Sequence, residues 1–275
     1  MDNTAINLIQ QTAIDANGLR IPRELGSKLA VIPKDYHLHS LEQCHPERFR
    51  FRGVFATAQL ADFVEYVKKN TGGQGFITAN ANELESTVFF NLGSTDNPGH
   101  ADWLARLHME KTPAFEAITN TNGAAFSQRQ IIDFIEDWSH LFRGWREGGD
   151  GGESSGIKVT TVISALRKIK ISEKSEGESK QDNFKTSVSR LDSVEASSEY
   201  GLPDILTFTT EPYLGLQSRT ISLRLSILTG GREPALKLRI LSEDQLYADI
   251  AQEFKAKLIG EIGDAAPMLI GDFKP

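Results

Sequence analysis

Several features of secreted and membrane-bound proteins are missing from this sequence. It has one cysteine, Cys44, among 275 residues, so it cannot form an internal disulfide. No run approaches the roughly 18 apolar residues of a membrane-spanning helix. The first residues, Met1-Asp2-Asn3-Thr4, lack the basic and apolar blocks of a secretory signal. We therefore expect a cytoplasmic protein that makes no membrane contact.

The chain also lacks a surplus of basic residues. It has 37 acidic and 30 basic side chains, which give a net charge of −7. Proteins that coat nucleic acid usually have the opposite balance, because they neutralise phosphates. The overall charge therefore favours a protein partner, and a local basic patch leaves nucleic acid open as an alternative.

Familiar catalytic and metal-binding motifs are absent as well. The sequence contains no phosphate-loop motif, no Gly-x-Ser-x-Gly, no His-Glu-x-x-His and no Cys-x-x-Cys. Four residues with metal-binding side chains do lie close together, but in one proline-flanked segment, whereas zinc sites normally draw ligand pairs from separate elements. They are His37, His39, Cys44 and His45. We predict neither a metal site nor a cofactor.

One local group of side chains offers acid–base chemistry. Asp96, His100 and Asp102 lie in a segment rich in turn-forming residues, which ends where a strand begins at Trp103. A solvated turn explains these residues most simply. If they are catalytic, the protein is a metal-dependent hydrolase or nuclease, which we keep as the alternative to a non-enzymatic function.

Hydrophobic periodicity predicts a mixture of helices and strands in the first half of the chain. The predicted elements are a helix over 4–16, an irregular segment over 19–48, a strand over 50–56, a helix capped by Thr57, strands over 75–79, 86–92 and 103–110, and a helix from Thr112-Pro113. The helix after Thr57 is predicted to bury a stripe of apolar residues, Leu60, Phe63, Val64 and Val67. The clearest helix runs from Ser127 to Phe142. Ser127 and Gln130 have the spacing of a capping box.

A glycine-rich segment separates the two halves of the chain. Residues 144–156 contain six glycines and are predicted to form a flexible loop, and a second polar stretch covers 172–183. The loop divides the chain into an N-terminal α+β portion, 1–143, and a C-terminal antiparallel β plus helix portion, 157–275. The alternative is a single domain in which the loop is an insertion.

The C-terminal portion has the clearest strand pattern. Apolar residues alternate over 221–227 and 236–240, and the glycine-containing segment between them predicts an antiparallel hairpin. Ser242 and Gln245 match a second capping box, so a helix from Ser242 to Gly260 should close the hairpin. The predicted fold class is α+β, with mixed or antiparallel sheets and flanking helices.

The polar face of this hairpin is the predicted partner-binding site. Four basic side chains are assigned to it: Arg219, Arg224, Lys237 and Arg239. The hairpin register places Arg224 near Arg239, and like charges directly opposite one another destabilise a sheet pair. Such a face is either solvated, paired with acids from elsewhere, or bound to an anionic partner.

Several short motifs occur in a fixed order along residues 30–245: Ile32-Pro33, Tyr36, Leu41-Glu42, Pro46-Glu47-Arg48, Arg52-Gly53, Val88-Phe89-Phe90-Asn91-Leu92, Pro98-Gly99-His100-Ala101-Asp102-Trp103, Ser127-Gln128, Phe134-Ile135-Glu136-Asp137 and Leu202-Pro203. In this order they resemble the uncharacterised YfdQ-type family of bacteriophage and prophage proteins. The resemblance implies a phage gene acting in the host-cell cytoplasm. It supplies no catalytic residues.

Together these observations predict a non-enzymatic phage accessory protein that acts by binding. We expect it to be a homo-oligomer whose partner is a host or phage protein, with nucleic acid as the alternative. Its expected setting is phage DNA replication or recombination, or the countering of a host defence.

Overall fold

The structure is a computed structural model that describes residues 4, 8, 46–48, 50–80, 83–146, 155–169, 202–203, 205–228 and 235–275. The chain divides into two units, Met1–Phe51 and Arg52–Pro275, and every strand of the described residues lies in the second unit. The helix predicted over 4–16 lies outside the described residues except for Thr4 and Leu8, which are helical.

The described residues form eleven strands and five helices. The strands are β1 Gly53–Thr57, β2 Gln74–Ala79, β3 Leu84–Phe89, β4 Trp103–His108, β5 Ala125–Ser127, β6 Phe142–Arg146, β7 Ser155–Ile157, β8 Ile205–Thr210, β9 Arg219–Leu228, β10 Ala235–Ile240 and β11 Met268–Ile270. The helices are α1 Leu60–Lys69, α2 Pro113–Thr121, α3 Gln128–Asp137, α4 Val159–Lys168 and α5 Glu243–Ile262. The predicted α+β fold class is confirmed.

The first sheet is mixed and has five strands in the order β1-β4-β3-β2-β11. The two outer strands, β1 and β11, run parallel to their neighbours, whereas the inner pairs are antiparallel. α1 and α5 pack on this sheet. The apolar stripe of α1, spaced at i, i+3, i+4 and i+7, is buried as predicted: Leu60, Phe63, Val64 and Val67.

The second sheet is antiparallel throughout and has six strands in the order β5-β10-β9-β8-β6-β7. It contains the predicted C-terminal hairpin, β9–β10. α3 and α4 lie against one face: Phe134 of α3 meets Phe142 of β6 edge to face at 5.9 Å. Phe142 meets Phe208 of β8 at 4.9 Å. These aromatic contacts join α3 to the sheet in one core.

The two predicted capping boxes have different outcomes. At Ser127 the capping box is present, because the hydroxyl accepts from the backbone N–H of Gln130 and the Gln130 side chain accepts from the backbone N–H of Ser127. Ser242 has left-handed backbone angles, φ 54° and ψ 43°, and makes no capping hydrogen bond with its side chain. Thr57 does not cap α1 either, and its hydroxyl accepts from Gln59 N at 3.0 Å.

Two predicted helix ends and one loop also need correction. α3 ends at Asp137 rather than Phe142, which begins β6, and α5 continues past Gly260 to Ile262. The loop predicted over 144–156 is shorter, because residues at both of its ends pair with each other as β6 and β7. Residues 147–154 and the polar stretch 172–183 lie outside the described residues.

The second sheet draws strands from both predicted portions of the chain. β5 precedes the glycine-rich segment 144–156, β6 and β7 include its two ends, and β8 to β10 follow it. The predicted N-terminal and C-terminal portions therefore share this sheet.

Candidate functional site

The hairpin register places three basic side chains together on one face of the second sheet. Arg224 of β9 is directly opposite Arg239 of β10, and Lys237 is opposite Ser226 one step along the same face. Arg224 and Arg239 are exposed and Lys237 is half-buried, whereas Leu223 and Leu238, which point the other way, are fully buried.

Arg219, the fourth residue of the predicted site, lies on the opposite face of β9. It has the same parity as the buried Ile221 and Leu223, so the period of a strand turns it towards the helices. There its guanidinium donates to Glu253 Oε2 of α5 at 2.7 Å and to the backbone oxygen of Asp249 at 3.1 Å. Arg219 therefore joins β9 to α5 and does not lie on the face with the other three residues of the predicted site.

Two residues that were not predicted belong to the exposed face. Arg143 and Trp145 of β6 alternate with the buried Phe142 and Gly144, and Arg143 pairs with Thr207 of β8. Trp145 is 37% exposed. The sequence signal was the two-residue alternation over 142–145, which the neighbouring glycines conceal.

The position of the Trp145 ring is fixed by a hydrogen bond. Its indole N–H donates to the Thr207 hydroxyl of β8 at 3.1 Å. A Cβ added at Gly156 of β7 would lie 3.9 Å from the ring carbon Cζ3, within ordinary contact distance, so the ring extends over β7. Trp145 is thus oriented on the sheet surface while part of its ring stays accessible.

The exposed face has a regular geometry. Trp145 is opposite Ile205 of β8. Leu206 of β8 pairs with Leu223 of β9, so the same register continued by one residue places Ile205 beside Arg224. Arg224 is in turn opposite Arg239. One row across four adjacent strands therefore carries the indole of Trp145 and the guanidinium groups of Arg224 and Arg239. The strand positions of Trp145 and Arg224 are about 10 Å apart, and those of Arg224 and Arg239 are about 5 Å apart.

We call this surface the basic face and define it by its principal side chains: Arg143, Trp145, Arg224, Lys237 and Arg239. None of the six strands contains Asp or Glu. Within the described part of the chain, Arg143, Arg224, Lys237 and Arg239 form no salt bridge. Hydroxyl side chains occupy neighbouring positions on the same face. Thr207 and Ser222 continue the row of Arg143, and Thr209 and Thr220, whose Oγ1 atoms are 3.0 Å apart, form the next row.

The candidate acid–base residues lie in the loop that leads into β4. Asp96 and His100 are exposed. Asp102 Oδ1 accepts from Asn91 Nδ2 at 2.8 Å, and Asn91 Oδ1 accepts from Trp103 N at 3.0 Å. Asp102 thus helps to hold the loop against the start of β4.

The second group of candidate residues contains the potential metal ligands. His37, His39, Cys44 and His45 lie outside the described residues. Among the residues that the structure does describe, no three His, Cys, Asp or Glu side chains are arranged to hold a metal ion. No helix in the described ranges is long and apolar enough to cross a membrane.

A cleft of about 700 Å³ lies beside the first sheet. Backbone-rich segments around Gly72, Gly93 and Pro98 form much of its lining, and among the described residues Asp264 is its one charged lining residue. Asp96, His100 and Asp102 are not among the lining residues. The cleft thus brings together no combination of side chains with recognisable chemistry.

The fold and the basic face define an α+β protein in which helices cover one face of an antiparallel sheet and the other face carries cations. The chain belongs to the family described as an uncharacterized conserved protein (DUF2303), whose model matches residues 2–273. No curated protein and no solved structure matches the chain significantly.

Proposed function

We propose that this protein is a non-enzymatic phage accessory protein that binds nucleic acid through the basic face, in phage DNA replication or recombination. The phage setting rests on the resemblance to the YfdQ-type family. The observation that supports binding is the complete absence of acidic residues from the six strands of a sheet whose exposed face carries four cations.

The charge distribution favours a polyanion over a random solvated surface. A solvated sheet face normally mixes charges of both signs, because opposite-charge cross-strand pairs stabilise a sheet and like charges directly opposite one another destabilise it. Arg224 and Arg239 form such a like-charge pair. A bound row of phosphates removes this repulsion, since it places negative charge between the guanidinium groups.

Charge reversal on the basic face tests the proposal. The variant Arg224→Glu/Arg239→Glu should bind labelled oligonucleotides at least tenfold more weakly than the wild type in about 50 mM salt. If all four cations contact phosphates, the slope of log affinity against log salt should be about −3 for a single strand, and the variant should lose about half of it.

A matched control changes the same amount of charge elsewhere. Lys68 of α1 and Arg129 of α3 are exposed on helices, so Lys68→Glu/Arg129→Glu should bind nearly as the wild type does. Equal binding by the wild type and the basic-face variant contradicts the proposal, and so does a wild type that binds no oligonucleotide at low salt. If the basic-face variant loses binding to an acidic protein and keeps its binding to oligonucleotides, the face is a protein interface instead.

A further inference from the structure

We infer that the basic face binds single-stranded nucleic acid in preference to duplex, with Trp145 as a platform on which a base stacks. This inference rests on the proposed function and assigns it a substrate class. The structural basis is the position of the one accessible indole of the second sheet, in the same cross-strand row as Arg224 and Arg239.

The shape of the basic face suits an unpaired strand. Sequence in duplex DNA is read when a helix or a β-ribbon enters a groove, and the helices that pack on the second sheet lie against its other face. Proteins that bind single strands combine cations along the backbone with aromatic rings that stack on exposed bases. The basic face has both components on one surface.

The indole is held in a way that suits stacking. Its edge is anchored, because the N–H donates to Thr207 at 3.1 Å, yet 37% of the residue stays accessible. An anchored ring loses little conformational freedom when a base covers it. The hydroxyls of Thr209, Thr220 and Ser222 lie on the same face and are able to hydrogen-bond phosphate and sugar oxygens.

The spacing of the row is also suitable. About 10 Å separates the strand positions of Trp145 and Arg224, and about 5 Å separates those of Arg224 and Arg239. A strand crossing the sheet thus meets an aromatic surface at one end and paired guanidinium groups at the other. Both DNA and RNA strands present the phosphates and bases that this arrangement contacts.

The test compares labelled oligo(dT), oligo(rU) and a hairpin duplex, each of about 20 nucleotides, by fluorescence anisotropy. The wild type should bind at least one single strand about tenfold more tightly than the duplex. Trp145→Ala should weaken single-strand binding about tenfold and leave the salt slope unchanged, because no phosphate contact is lost. Trp145→Phe, which keeps an aromatic face, should lose less.

A spectroscopic measurement separates stacking from a purely structural role. Bound oligo(dT) should quench the tryptophan fluorescence of the wild type, and Trp145→Phe, which keeps Trp103 and Trp138, should lose most of this quenching. If duplex binds as well as both single strands, or Trp145→Ala binds oligo(dT) as the wild type does, the inference fails. Should Arg224→Glu/Arg239→Glu still abolish binding in that case, the proposed function stands without it.

Discussion

Replacing Arg219 should destabilise the fold without weakening binding, and replacing Arg239 should do the reverse. The two arginines lie on neighbouring strands of one sheet but face opposite sides. The side chains of Arg219 and Glu253 are 23% and 17% exposed, and their N–O distance is 2.7 Å. Arg239 is exposed and has no salt bridge within the described residues.

The expected magnitude follows from the partial burial of the ion pair. Removing one partner of a fully buried pair costs about 3–5 kcal/mol, and exposed pairs contribute at most about 1 kcal/mol. The pair joining β9 to α5 lies between these limits, so Arg219→Met should lower the free energy of unfolding by about 2 kcal/mol. Glu253→Gln should cost a similar amount, although its side-chain oxygen is still able to accept from Gln217 N, as Glu253 does at 2.7 Å.

A double-mutant cycle isolates the interaction. Arg219→Met/Glu253→Gln should cost about 1–2 kcal/mol less than the sum of the two single variants, because the second change no longer leaves an uncompensated charge. The measurement is urea denaturation followed by circular dichroism, with the m-value checked for constancy. The control, Arg239→Met, should stay within about 0.5 kcal/mol of the wild type.

Oligonucleotide binding supplies the second readout. Arg219→Met should bind as the wild type does at a temperature where it is folded, whereas Arg239→Met should bind more weakly. If Arg219→Met leaves stability unchanged and weakens binding, then Arg219 belongs to the basic face and the assignment of β9 residues to the two sides is incorrect.

Two further predictions concern helix capping and pH. Ser127→Ala should lower the free energy of unfolding by about 1 kcal/mol. Ser242→Ala should change it little, because of these two hydroxyls the one of Ser127 caps a helix and the one of Ser242 does not. Equal losses of the two variants in urea denaturation would contradict this. Burial is the main cause that raises the pKa of both Tyr213 and Tyr247 above the usual tyrosine value. The two buried neutral side chains contribute fully to stability below about pH 10, and this contribution is lost as the pH rises through their folded-state pKa values. The melting temperature should therefore fall above about pH 10, and less steeply in Tyr213→Phe/Tyr247→Phe; an equally steep fall in that variant would refute the assignment.

Local patterns in the sequence predicted most of the described elements correctly. The alternation over 221–227 and 236–240 predicted β9 and β10 together with their pairing, because two-residue periodicity fixes which side chains share a face. The helical spacing of Leu60, Phe63, Val64 and Val67 predicted the buried stripe of α1. These signals are reliable because each depends on neighbours within a single element.

The two capping boxes show where local patterns fail. Both sequences fit the same motif, yet only Ser127 forms the hydrogen bonds. Leu241 is still bonded to the second sheet, since its N–H donates to Ser222 O at 2.8 Å, and α5 begins two residues later at Glu243. Ser242 alone must therefore redirect the chain, and it does so with a left-handed backbone that takes its hydroxyl out of capping position. The sheet contact decides this geometry, and the motif does not contain it.

The basic face was only partly predictable for a similar reason. Arg224, Lys237 and Arg239 were identified from the hairpin, whereas Arg143 and Trp145 required the pairing of β6 with β8, whose paired residues are at least 60 positions apart in sequence. Gly144 contributes to the difficulty. Its sequence context predicts a loop, but it is buried in the structure, and an added Cβ would lie 3.0 Å from Cγ2 of Val162 in α4, which leaves little room for a side chain. A glycine selected for close packing cannot be distinguished in sequence from one selected for flexibility.

The net charge of −7 is the least informative of the sequence properties for the proposed function, because the charges are separated in space. α5 alone carries five acidic residues and two lysines, whereas the six strands of the second sheet carry no acid. At about 0.1 M salt the Debye length is about 10 Å, so exposed charges farther than this from a bound strand are largely screened. A bound strand would therefore interact mainly with the cations of the basic face. The acids contribute more repulsion as salt is lowered, which reduces the gain in affinity that four phosphate contacts alone would give. The local distribution of charge, and not its sum, determines whether this face attracts a polyanion.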